Sequence, residues 1–315
     1  MKGLMRPSQL FTLAVLLLLP FVLRNNFMMD VAVRVALAAV AAIGLNLLMG
    51  FAGQISIGHA AFIALGAYGS GIGSSRFGWP PLLALVAAAA VASAVAWLIA
   101  KPILRLKGHS LTMATLGLGV IANIVLINEV GWTGGPDGMA VPPLQVGGLT
   151  LATVGQWYAL AAAVLYLTIA GSLSLYDSPA GRALRGLNGS EVAARVMGVD
   201  VASFKVRVFV LSAFLASVSG SLTAHYLSFV SPSMASFTHS VELATMVVLG
   251  GMASTYGAVL GAAVLIVLPQ LVGGLQGYEM LLFGLILMLT MIFLPGGLVP
   301  SLEGRLRRRV GADHA

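Results

Sequence analysis

Few side chains in this 315-residue chain could do chemistry, and their spacing limits which kinds are open to it. The histidines, His59, His109, His225, His239 and His314, lie far apart. A metal centre gathers His and carboxylate ligands into one cluster. No stretch offers that, so no metal or other cofactor is expected. The chain has no cysteine, which removes disulfides, thiolate ligands and thiol nucleophiles. A nucleotide P-loop needs Gly-x-x-x-x-Gly-Lys-Ser/Thr. The lysines are Lys2, Lys101, Lys107 and Lys205, and none completes that pattern. The sequence thus shows no ATP site and no evident enzyme. Two polar groupings remain. His239 and Glu242 are three apart, so on a helix they share a face and can pair. A structural or interfacial pair and a gating pair both fit. Gln54, Ser56 and His59 stand in an otherwise apolar run, LMGFAGQISIGHAAFIALGA at 48–67, where polar groups are costly against lipid.

Membrane spans must hold these residues. The chain is 59% hydrophobic and 9% charged, with mean hydropathy +0.99; a soluble domain carries about 25% charge. Apolar runs long enough for a hydrocarbon core of roughly 30 Å recur throughout. They place ten candidate spans at 9–23, 31–50, 57–75, 81–100, 110–128, 157–175, 208–228, 238–250, 257–272 and 279–295. The expected fold is an all-α integral membrane protein, one domain over 1–315, with some helices short or broken. The N-terminal run resembles a signal peptide but lacks a small-x-small cleavage site, so it reads as a retained first span. The net charge of +7 sits mostly at span flanks and in the tail. Nucleic-acid binding would need a basic folded face, so no nucleic-acid partner is expected.

Basic residues set the orientation. Lys2 and Arg6 place the N-terminus inside, and Lys101, Arg105 and Lys107 mark an inside loop. The connection 129–156 has no Lys or Arg and reads as outside, as does 229–237. Arg24, Arg34 and Arg76 vote weakly the other way. Residues 177–207 form a polar island with Arg182, Arg185, Arg195, Lys205 and Arg207 against Asp177, Glu191 and Asp200. Ser178-Pro179 is a cap followed by proline at the first helical position. Ser190 precedes a short run, Glu191 to Met197, that stops at Gly198. An ordered helix on the inner side needs something to dock against, which points to a soluble partner.

Two spans read as interrupted. Splitting 238–272 at GGMASTYG (250–257) returns the basic tail, 303–315, to the inside. Irregular backbone is tolerated in a membrane where it is buried in protein or lines water. At 48–67, Gly50, Gly53, Gly58 and Gly66 allow either a packed helix pair joined by a short cytoplasmic turn or a discontinuous helix beside a transport path. The outside loop TGGPDG (133–138) is a turn by composition; a plain surface turn and a contact for a binding protein both fit.

Several ordered segments resemble one family. GLNLLMGFAGQISIGHAAFIALGAY (44–68), SPAGRALRGLNGSEVAARVMGV (178–199), FVLSAFLASVSGSLTAHYLSFVSP (209–232) and VELATMVVLGGMASTYGAVLGAAVL (241–265) resemble permease subunits of branched-chain amino acid ABC importers, LivM type. The resemblance spans roughly 31–300. It implies about ten spans and a cytoplasmic helix, within 176–207, that docks in a groove of an ATPase. The importer-wide Glu-Ala-Ala-x-x-x-Gly pattern maps to Glu191, Ala193, Ala194 and Gly198, with Val192 departing at the first Ala and no Ile-x-Leu-Pro following. Arg182 precedes it on the same loop.

The resemblance implies an importer with a homologous permease chain, two ABC ATPase subunits and an extracytoplasmic substrate-binding protein. All would meet in the inner membrane, among its lipid, with both termini cytoplasmic. The implied cargo is a branched-chain or related small amino acid; urea and short amides remain open. Gln54, Ser56, His59, His239 and Glu242 are the candidate pathway residues. A stand-alone secondary transporter or channel is the rival class, and it would need buried coupling carboxylates, for which Glu242 is the strong candidate.

Overall fold

The computed structural model describes residues 7–271 except 24, 107, 147 and 148, with isolated positions between 281 and 301. The expected tenth span therefore falls mostly outside the described residues, and Lys2, Arg6 and the 303–315 tail fall wholly outside them.

Among the described residues the α-helices are α1 (Pro7–Val22), α2 (Asn26–Asn46), α3 (Ala60–Ser75), α4 (Pro81–Ile103), α5 (His109–Asn128) and α6 (Val130–Thr133). They continue with α7 (Val154–Asp177), α8 (Pro179–Gly189), α9 (Glu191–Val196), α10 (Val201–Leu227), α11 (Phe237–Gly250) and α12 (Thr255–Leu271). Local chemistry sets several starts. Asn25 Oδ1 accepts from the Phe27 amide at 3.1 Å. Thr153 and Gln156 form a reciprocal capping box on α7. Pro81 and Pro179 open α4 and α8, where a missing N–H costs no helix bond.

Among the described residues five helices are long and apolar enough to cross a bilayer: α2 with its extension to Phe51, α4, α5, α7 and α10. Shorter apolar helices lie at Ser8–Val22, Phe237–Gly250 and Thr255–Gln270. Two boundaries move for physical reasons. The second helix starts at Asn26 rather than 31, because Asp30 and Arg34, one turn apart, pair at 2.9 Å on its surface. The tenth runs back to Val201, so the last part of the polar island is its first two turns.

Helix α10 is the centre, packed on α2, α3 and α4, while α12 closes on α2 and α11. Its crossing with α3 is made by two glycines. A Cβ on Gly66 would lie 2.0 Å from the Ser217 carbonyl oxygen, and one on Gly220 would lie 2.0 Å from that of Ile63. Backbone therefore meets backbone, as membrane helices with small residues allow. Hydroxyls tie α10 to α2: Ser219 donates to the Leu37 carbonyl at 2.7 Å and Ser212 to that of Gly44.

The connections without Lys or Arg meet each other. β1 (Met139–Ala140) pairs antiparallel with β4 (Phe229–Val230), so both loops lie at one end of the helices. β2 (Gln145–Val146) and β3 (Leu149–Thr150) form a second small hairpin there.

Candidate functional site

The front run is interrupted. After α2 the backbone widens into a π-type turn at Leu47–Phe51, then runs without helix from Ala52 to His59 before α3 begins. Freed backbone groups are taken up by neighbouring helices. Ile57 N–H donates to Thr115 Oγ1 of α5 at 3.2 Å, and Ala60 N–H to Ser240 Oγ of α11 at 3.3 Å. That is how irregular backbone survives at membrane depth.

The rear run breaks between Gly250 and Thr255, with Gly251 and Ala253 both at positive φ. The two breaks touch. Asn46, the last residue of α2, accepts from the Ala253 amide at 2.9 Å and donates to the Ser254 carbonyl at 2.9 Å. A Cβ on Gly50 would sit 2.1 Å from the Ala253 nitrogen. One carboxamide thus spans both interruptions. Nothing in the residue pattern had singled Asn46 out.

Gln54, Ser56 and His59 are all buried. His59 Nε2 lies 2.7 Å from Ser212 Oγ. Because Ser212 already donates its proton to the Gly44 carbonyl, the ring donates from Nε2, and Nδ1 is left without a partner. Phe62 meets the ring edge-on, with centroids 5.6 Å apart. Gln54 is 3% exposed, and neither its Nε2 nor its Oε1 has a hydrogen-bond partner among the described residues. A buried unpaired amide is a cost normally avoided.

His239 and Glu242 do pair, Nδ1 to Oε2 at 3.3 Å on the first turns of α11. They line a cavity of about 450 Å³ that also takes in Arg34 and the apolar Leu37, Ile63 and Met246. They are not joined to the front grouping: His59 bonds Ser212, not either member of this pair.

The polar island folds as two short helices. Ser178 Oγ caps α8 through the Gly181 amide at 3.1 Å, and Ser190 Oγ caps α9 through that of Ala193 at 3.2 Å. Gly198 follows α9 at φ +80°, where a β-carbon is strained. Arg182 is exposed and donates to the Asp177 carbonyl at 3.2 Å. Glu191 is turned inward onto Lys205 of α10, whose side chain is 6% exposed. Ala194 is buried with Leu187 and Val201, so it packs the loop on its own chain rather than clearing space for a partner. Ala193 is exposed. The large side chains turned outward are Val192, Val196 and Met197, at 72%, 82% and 83% exposure. They lack polar signature and were not legible as site residues.

The island reaches the breaks through Asn188 near the end of α8. Its Nδ2 donates to the Gly50 carbonyl at 2.7 Å, and its Oδ1 would lie 2.6 Å from a Cβ on Gly53. At the base of α10, Asp200 caps the helix. The hydroxyl and then the amide of Ser203 donate to its carboxylate, holding it below the ordinary carboxylate range.

Long apolar helices, broken segments bonded to one another and a folded polar loop are the architecture of an integral membrane protein. The sequence profile described as branched-chain amino acid transport system / permease component matches residues 27–294, and the chain belongs to that family. The high-affinity branched-chain amino acid transport system permease protein LivM of Escherichia coli (strain K12) is 31% identical, over 97% of this chain and 78% of its own length. LivH of the same organism is 26% identical, over 84% of this chain and 92% of its own. The probable LivM of Methanocaldococcus jannaschii is 23% identical over 70% of this chain and 68% of its own. No solved structure matches the chain.

Proposed function

We propose that this chain is a transmembrane subunit of an ATP-driven ABC importer for branched-chain or related small amino acids. It works beside a homologous permease chain, two ATPase subunits and an extracytoplasmic binding protein. It crosses the inner membrane about ten times, with both termini and the 176–207 loop in the cytoplasm. The observation that carries the coupling is the Asn188–Gly50 hydrogen bond. Through it, a push on α8 and α9 from a closing ATPase acts on the front break. Asn46 then passes the displacement to the rear break. Docking falls to the exposed Val192, Val196 and Met197, with Gly198 turning the chain away. Glu191 acts as the brace that holds α9 against α10.

Pathway residues on this reading are Gln54, Ser56 and His59 at the front break, with His239 and Glu242 lining the cavity of about 450 Å³. The test is uptake of labelled leucine into proteoliposomes holding the whole complex, with ATP inside and binding protein outside. Asn188→Ala is expected to leave ATP hydrolysis near wild type while uptake falls about tenfold, the rate equivalent of the roughly 1.4 kcal/mol that one such hydrogen bond contributes. Unchanged uptake removes the coupling route. Urea or a short amide carried in place of leucine corrects the cargo and leaves the class standing.

A further inference from the structure

We propose that the groove between the end of α4 and the start of α10 is a binding site for an anionic phospholipid of the surrounding bilayer. The groove has a volume of about 940 Å³ and is lined by Lys101 of α4, Arg105 in the turn just past its end and Arg207 of α10. Its walls are Trp97, Val210 and Phe214. Among the described residues no carboxylate lines it. Among the described residues none of the three cations is closed into a salt bridge. Asp200 acts electrostatically on Arg207 but is itself held by Ser203.

The order of residues along the two helices gives the ligand its shape. The helix α4 ends in its basic residues and α10 begins with its own, so all three charges share one level. From that level the apolar walls run the other way, back to Ser93 on α4 and forward to Phe214 on α10. At 1.5 Å per residue those walls, Lys101 to Ser93 and Arg207 to Phe214, are roughly 12 and 10 Å long. Phosphate held at the basic level would lay its acyl chain along them. A free phosphate or a soluble nucleotide has no use for such a wall. Trp97 and Phe214 are 55% and 41% exposed, and Lys101 Nζ sits 5.3 Å from the Trp97 ring centre. An amphipathic ring beside an ammonium is the pairing found at headgroup level. Basic pockets between transmembrane helices on the cytoplasmic side bind anionic headgroups. The inference rests on membrane insertion alone, not on ATPase coupling or cargo.

The experiment uses the full chain, extracted from membranes with the subunits that copurify. It is exchanged into micelles doped with phosphatidylglycerol or phosphatidylcholine, and retained lipid is counted by native mass spectrometry. Retention of phosphatidylglycerol over phosphatidylcholine is expected. It should fall by about fivefold for each of Lys101→Gln, Arg105→Gln and Arg207→Gln. Lys101→Arg and Arg207→Lys should retain it, which separates lost charge from lost fold. Glycerol 3-phosphate in excess should fail to displace the lipid, since the walls hold the chain. Equal retention of both lipids, or unchanged retention in the triple Gln variant, overturns the proposal. So does displacement by glycerol 3-phosphate. Loss of a copurifying subunit from the triple variant with lipid retained would assign the groove to that protein instead.

Discussion

Glu191 and Lys205 show how a residue's neighbours decide its role. By sequence Glu191 belongs to a docking motif, yet its carboxylate faces an ammonium that is almost wholly buried. Removing Glu191 takes the counter-charge away from the buried ammonium of Lys205, which costs about 3 kcal/mol or more. Glu191→Ala should therefore lower the thermal stability of the purified protein, and Glu191→Leu combined with Lys205→Met should recover most of it. A stable Glu191→Ala protein would mean that the pair is not closed in solution. Gln54 makes the opposite prediction. Its amide is buried without partners among the described residues, so Gln54→Leu removes an unmet desolvation cost of about 1–3 kcal/mol and should raise stability. If the side chain serves the transport path, leucine uptake falls in the same variant. Higher stability with full uptake would retire Gln54 from the path. His59→Leu should cost about 1 kcal/mol through the lost Ser212 bond, read as a lower melting temperature.

At the scale of elements, the crossing of α3 and α10 is the tightest demand. Gly66→Val would drive a side chain into the Ser217 backbone, and Gly220→Val would do the same at Ile63. Each should cost several kcal/mol, because packed helices do not open by a methyl's width without losing contacts along the whole seam. Membrane abundance of each variant against Gly117→Val, which meets open space, checks this. Normal abundance of Gly66→Val would mean that the helices sit farther apart. These elements were largely legible. Apolar runs, Ser-Pro at 178–179 and the glycines at 50–58 and 250–257 are local signals, and local signals survive in a sequence. Asn46 and Asn188 were not legible, although they join the breaks to each other and to the loop. Their partners lie 207 and 138 residues away, and a lone Asn, in an apolar run or a polar loop, looks the same whether it bridges two segments or caps one. The helical start of α10 was hidden by its charges, and the inward turn of Glu191 by the absence of any signal for Lys205 as its partner.

For the whole molecule the open question is which end faces which compartment. The pairing of β1 with β4 puts the loops 129–156 and 229–237 on one side, and the basic flanks argue that this side is outside. The absence of native cysteine makes labelling clean. Cysteines at Asp137 and Ser231 should react with an impermeant reagent added to whole spheroplasts, and one at Ser190 only after lysis. A cysteine at Ala312, beyond the described residues, should behave like Ser190 if the spans number ten. Labelling of Ala312 from outside would remove one span and leave the Ser190 result untouched.

The outward-turned side chains of α9 have a consequence for the cell's protein economy. Val192, Val196 and Met197 present bulky hydrocarbon outward beside the exposed Arg195. Chaperones and membrane-anchored proteases select such exposed apolar surface, and a bound ATPase would hide it. An orphaned copy of this chain would then be short-lived and an assembled one durable. Degradation, rather than balanced synthesis alone, would keep permease and ATPase copies in step.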